Sequence, residues 1–141
     1  AFSVDINTKI STKLLIKPSK TLKILGSGGS KGIPDNYRQS ILNNLKTNTE
    51  RLFIGSAGIE TIMLAKNEIQ FVFHGRVTPW DHSPMDLITK EAGGFVYMAI
   101  NKDEFNIKSE GSILAACDIK TWDKIRDLII PSDNPYRKYK N

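Results

Sequence analysis

Strand-length apolar runs recur along this chain, each followed by a turn of small residues and then by helical spacing. Arg51 to Ile54 leads into Gly55-Ser56-Ala57-Gly58, after which Ile59, Ile62, Met63 and Leu64 share a helical face. Ile69 to Phe73, rich in aromatic and branched residues, precedes a helix with Met85, Leu87, Ile88 and Ala92 towards a core. Asp86, Lys90 and Glu91 point outward there, and Gly93-Gly94 stops the helix. Thr21 to Leu25 reads as a strand, and Pro34 opens a helix with Tyr37, Ile41, Leu42 and Leu45. Strands at Phe95 to Ile100 and Ile113 to Ala116, then a helix over Thr121 to Ile130 ended by Pro131, complete the order. This alternation excludes all-α and all-β folds. It predicts an α/β layered sandwich, a mixed sheet of about five strands flanked by helices.

Phe2 to Lys17 alternates weakly, as a β-hairpin or an extended lead-in does. The expected division is therefore a hairpin over 1–19, the α/β domain over 20–131 and a flexible basic tail over 132–141. A length of 141 residues suits one domain with a proper core. No apolar run approaches the roughly 20 residues that span a bilayer, so no membrane association is expected. The start, AFSVDINTKI, lacks the order of a secretory leader and an initiator Met, which suggests a processed or truncated piece. A single cysteine, Cys117, excludes an internal disulfide and points to a reducing, cytoplasmic setting. The charge of +5 comes from scattered Lys and Arg with one cluster in the tail YRKYKN, so nucleic acid is not expected as a partner.

Three stretches could carry chemistry. GSGGSKG, Gly26 to Gly32, stands between a strand and a helix, where backbone N–H groups bind anions. It fits neither the Walker order nor the dinucleotide fingerprint, and a flexible connector is the better reading. In GSAG, Ser56 reads as a helix N-cap; the alternative is that the Ser56 and Ala57 N–H groups contact a ligand oxygen. In PWDHSPMDLITKEAGG, Ser83-Pro84-Met85-Asp86 has the order of a cap, a first-turn proline and an acid. That leaves Asp81 in front of the helix, stiffened by Trp80, as a candidate ligand for a hard cation such as Mg²⁺. One carboxylate does not make a metal site, and His82 has no partner at zinc-like spacing.

Trp80, Asp81, Leu87, Ile88, Glu91, Ala92, Gly93 and Gly94 together resemble the C-terminal signature of the inositol monophosphatase family of Mg²⁺-dependent phosphatases. Gly55-Ser56-Ala57 stands where that family has its G-[ST]-A turn, and the resemblance covers roughly Thr21 to Ile130. It implies that Asp81 is catalytic and ligates Mg²⁺ near the substrate hydroxyl, and that Gly55, Ser56 and Ala57 line the substrate pocket. In the intact enzyme Mg²⁺ would activate a water for attack on a phosphomonoester. His74 stands where many members have a glutamate that holds a ring hydroxyl, which makes it a substrate-pocket residue and puts inositol phosphate in question. Met85 replaces a usually small residue. Nothing here resembles the D-P-[IL]-D-G-T loop or the upstream glutamate that supply most metal ligands in the family. The chain is thus expected to be a C-terminal half, inactive alone, with residues 1–19 a remnant of the missing N-terminal domain. Its expected partners are that domain, a small phosphorylated substrate and, at full length, a second copy in a homodimer. The rival is a stand-alone binding module, associated with RNA and transcription or with other proteins, that lacks phosphatase activity.

Overall fold

The computed structural model describes residues 1–20 and 24–139 of the chain. A hairpin of β1 (Phe2–Val4) and β2 (Ser11–Lys13), antiparallel with Phe2 opposite Lys13, precedes the domain. The domain contains β3 (Leu25–Gly29), α1 (Asp35–Asn48), β4 (Glu50–Leu52) and α2 (Ala57–Ala65). It continues with β5 (Phe71–His74), α3 (Pro79–Glu91), β6 (Phe95–Met98), β7 (Ile113–Ala116) and α4 (Ile119–Ile129). The five-stranded sheet has the order β4-β3-β5-β7-β6. β3 runs parallel to β4 and β5, whereas β7 is antiparallel to both β5 and β6. The expected mixed α/β sandwich is what forms.

Alternation along the strands divides the core between the two faces of the sheet. Val72, Val96, Ile113 and Ala115 meet Leu64 and Ala65 of α2 and Met85 of α3. Phe71, Phe73, Leu114 and Ala116 meet Ile41 and Leu45 of α1 and Trp122, Ile125 and Ile129 of α4. Leu14 and Ile16, just after the hairpin, join the first of these clusters, and the Ile16 N–H donates to the Ala92 carbonyl at 2.7 Å.

Several local expectations change. GSGGSKG is a connector only in its second half, because Leu25–Gly29 is a strand paired on both sides and Ser30-Lys31-Gly32 turn towards α1. Its glycines fit the packing: a Cβ on Gly26 would sit 2.2 Å from the Phe71 ring, so a bare backbone lets that ring lie on the strand. Of the segment expected as a strand over Thr21 to Leu25, residues 21–23 lie outside the described residues. The tail does not leave the domain at once, since Pro135–Lys138 form a 3₁₀ turn with Tyr136 buried against the second cluster.

α3 begins five residues earlier than the Ser83 cap implies, with Thr78 as its N-cap and Pro79 in its first turn. Asp81 therefore lies inside the first turn, Leu87 is exposed rather than core-facing, and Trp80 is 74% exposed and stiffens nothing. The longer helix buries His82, Met85 and Thr89 along one face, at the cost of enclosing Pro84. A proline at an interior position lacks the N–H that would bond back one turn and costs up to about 3 kcal/mol against alanine. Pro84 is solvent-facing, so Pro84→Ala should raise the thermal midpoint by several degrees, read by calorimetry. An unchanged or lower midpoint would mean that the helix relies on the proline ring.

Candidate active site

In open α/β sheets, crevices form beyond the carboxyl ends of parallel strands, where crossover helices leave in opposite directions. Here β3, β4 and β5 are mutually parallel, and their following helices lie on both faces of the sheet. Beyond their carboxyl ends opens a cavity of 350 Å³ whose lining includes Gly28, Lys31, Gly55, Ala57, His74 and Asp81. A second cavity of 520 Å³, lined by Met98, Lys108 and Arg137 of the basic tail among others, holds none of the candidate site residues.

Each expected site residue is placed by its element. Gly55 adopts φ +73°, a left-handed turn that a side chain would strain, and it swings the chain from β4 into α2. Ser56 caps α2, its hydroxyl accepting from the Ile59 N–H at 3.5 Å, and it is not among the residues lining the cavity. Gly55, Ala57, His74 and Asp81 do line it. Asp81 is exposed, and its Oδ2 accepts from the Thr78 hydroxyl at 2.7 Å.

The largest addition to the sequence reading is a mostly buried cluster in the wall of the cavity. Glu60, on an otherwise apolar helix, is only 3% exposed. Its Oε1 accepts from the Ser27 hydroxyl at 2.5 Å, and its Oε2 lies 2.6 Å from His74 Nε2. His74 Nδ1 lies 2.9 Å from His82 Nε2, and His82 Nδ1 lies 2.9 Å from the Thr78 backbone nitrogen. Burial pushes the Glu60 carboxyl up, but the hydrogen bonds it accepts from His74 and Ser27 outweigh that and leave it below the usual range. His82 moves down, chiefly through burial, with His74 adding to the effect against the Thr78 backbone hydrogen bond. A single acid among Ile59, Thr61, Ile62, Met63 and Leu64 was the sequence signal for Glu60. Its partners, 14 and 33 residues distant in the chain, were not inferable from spacing.

Asp81 is the carboxylate that the resemblance assigns to Mg²⁺, yet Mg²⁺ demands near-octahedral coordination by several oxygens. Among the described residues no three His, Cys, Asp or Glu side chains converge as metal donors. Glu60 and the two histidines lie in a line and are spent on one another. The chain thus offers one carboxylate, and its own side chains do not fit a complete Mg²⁺ site.

No helix among the described residues is long and apolar enough to cross a membrane. Among curated protein sequences none matches the chain. Solved structures of similar fold include an IMPase from Thermotoga maritima, 21% identical over 89% of this chain and 43% of that one, with a TM-score of 0.61. The inositol monophosphatase from Anabaena (Nostoc) sp. PCC 7120 is 23% identical, over 84% of this chain and 49% of that one, at 0.67. Inositol monophosphatase-II from Staphylococcus aureus MSSA476 is 17% identical, over 99% and 60%, at 0.70. The chain spans about half the length of these relatives. The family model for inositol monophosphatases matches residues 7–132, which include every strand and helix of the α/β domain from β3 to α4 and its sheet-edge cavity, and the chain belongs to the inositol monophosphatase family.

Proposed function

We propose that this chain is the C-terminal half of a Mg²⁺-dependent phosphomonoesterase and is inactive alone. Asp81 is its single catalytic carboxylate and metal ligand, and Gly55, Ser56 and Ala57 form the turn beside the substrate. The observation that carries this reading is the meeting of Asp81 with Gly55 and Ala57 at one cavity beyond the parallel strands. Lys31 and Arg76 line the same cavity beside Asp81 and Glu60, and the two cations can meet the oxygens of an anionic ligand such as a phosphate ester. SaIMPase-II has been seen with 2′AMP and with inositol monophosphate bound, which supports a phosphomonoester of a sugar-like alcohol as the ligand class. Phe53, Ile59, Trp80 and Leu87 are exposed apolar side chains, the kind of surface that a docked domain would cover. The stand-alone binding module is not favoured, since the phosphatase-family model matches residues 7–132 and the candidate residues meet at one cavity.

The test uses the chain as it stands. Purified alone, it should release no phosphate from p-nitrophenyl phosphate, and calorimetric titration should find weak Mg²⁺ binding, because one carboxylate does not displace the hydration shell. A polypeptide carrying the D-P-[IL]-D-G-T loop and its upstream glutamate should restore turnover when mixed with it. Steady turnover by the lone chain with micromolar Mg²⁺ affinity would overturn the half-site reading.

His74 faces this cavity but differs from the glutamate expected of an inositol phosphatase, and both its nitrogens are engaged. His74→Glu alone would set a second carboxylate against buried Glu60, and one of the pair would have to take up a proton. The double variant His74→Glu with Glu60→Gln avoids that conflict. In the complemented enzyme it should raise the kcat/KM preference for inositol 1-phosphate over 2′AMP roughly tenfold, the worth of one charge-assisted hydrogen bond. No change in preference would mean that position 74 does not face the substrate.

A further inference from the structure

We propose that Glu60, His74 and His82 form a directed hydrogen-bond relay that positions Thr78 and, through its hydroxyl, the Asp81 carboxylate. The direction follows from counting donors. Glu60 Oε1 already takes the Ser27 hydroxyl, and Glu60 Oε2 faces His74 Nε2 at 2.6 Å, so the His74 proton sits on Nε2. His74 Nδ1 is then a bare lone pair 2.9 Å from His82 Nε2, which must carry the second proton. His82 Nδ1 in turn is free to accept, and the Thr78 N–H stands 2.9 Å away to donate to it. The Thr78 carbonyl lies as close to that nitrogen, but it already accepts from the Asp81 and His82 backbone N–H groups.

The relay therefore occupies the Thr78 N–H, one of the helix-terminal donors that lack a partner within the helix. This fixes the N-cap residue whose hydroxyl donates to Asp81 Oδ2 at 2.7 Å. Burial keeps the ends of the path defined: Glu60 and His82 are each 3% exposed and Ser27 is 1% exposed, while the His74 side chain, 18% exposed, meets the cavity. His74 becomes a wall of the cavity, with its nitrogens turned away from any ligand. Glu60, His74 and His82 are positioning residues in this scheme, acting on Asp81 through Thr78. Only the last link rests on reading Asp81 as the working carboxylate.

The experiment is nitrogen-15 NMR on the labelled 141-residue chain, reading scalar couplings across N–H···N hydrogen bonds. We expect one coupling between His74 Nδ1 and His82 Nε2 and another between His82 Nδ1 and the Thr78 amide nitrogen, with His74 protonated at Nε2. A His82 proton on Nδ1, or loss of either coupling, would overturn the direction without any variant being made. Glu60→Gln keeps an oxygen that can accept from His74 and should retain both couplings. Glu60→Ala should abolish the His74–His82 coupling and shift the carbon-13 resonance of the Asp81 carboxylate. An unmoved Asp81 resonance in a folded Glu60→Ala chain would break the link to the site. If Glu60→Ala does not fold, Ser27→Ala, which leaves the Glu60–His74 pair in place, reads the same shift in smaller measure, and its absence counts equally against the link. Failure of the phosphatase reading would show as absent turnover after complementation with these couplings intact.

Discussion

Asparagine in place of Asp81 should lower kcat/KM of the complemented enzyme roughly 100-fold or more, while the chain keeps its fold. Groups that merely orient a metal ligand typically cost 10–100-fold when removed, so if Asp81 is the direct ligand we propose, its loss should reach at least the upper end. The fold has little reason to respond. Asp81 is exposed, and an asparagine oxygen can still accept from the Thr78 hydroxyl that Oδ2 accepts from now. What disappears is a negative charge in the first turn of α3, worth about 0.3–1 kcal/mol against the helix dipole. Steady-state kinetics with Mg²⁺ in excess, beside calorimetric melts, separate the two effects. Turnover at the wild-type rate by a folded, Mg²⁺-supplied Asp81→Asn enzyme would remove Asp81 from the metal site.

The largest loss of stability is expected from Trp122→Ala, at about 3–5 kcal/mol, the range for deleting a large aromatic from a core. Trp122 is fully buried on α4. Its Nε1–H donates to the Leu114 carbonyl at 2.7 Å, and the Tyr97 ring meets it edge-on at 5.7 Å. Lys102 and Arg126 place their charges 5.2 and 5.7 Å from its ring centroid. Alanine would leave a void between α4 and β7 and remove the indole donor from the Leu114 carbonyl, which keeps its place opposite Tyr97 in the β6–β7 ladder. For a chain of this length the thermal midpoint should fall by roughly 10 °C or more. Trp122→Phe separates the contributions, since it keeps most of the ring and loses the hydrogen bond, so it should cost about 1–3 kcal/mol. A fall of under about 1 kcal/mol for Trp122→Ala, measured by denaturant titration, would show that α4 is not anchored by this ring.

The order of strands and helices was legible in the sequence because each element advertises itself locally. Ile113 to Ala116 is the strand its apolar run predicts, and Ser56 caps α2 as its position before a helical pattern predicts. The mixed five-stranded α/β sandwich follows from that alternation. The signature from Trp80 to Gly94 likewise pointed to the family without any structure. Asp81, Gly55 and Ala57 were drawn from local motifs and stand at one cavity, because strand-to-helix turns collect at the carboxyl edge of a sheet.

What only the tertiary structure decided are choices that local chemistry leaves equal. Thr78-Pro79-Trp80-Asp81 and Ser83-Pro84-Met85-Asp86 carry the same helix-start pattern five residues apart. Both are consistent with a cap, a proline and an acid. The first is used because it lets His82, Met85 and Thr89 face the core together, and that burial outweighs a proline left inside the helix. LGSGG has poor strand propensity and reads as a loop, but a Phe71 ring resting on Gly26 makes a bare backbone the only strand that fits. The buried relay lay furthest from the sequence. Ser27, Glu60 and His74 belong to three elements, and only the stacking of α2 on the sheet gives the Glu60 carboxylate its hydrogen-bond partners, without which its burial would not be sustained.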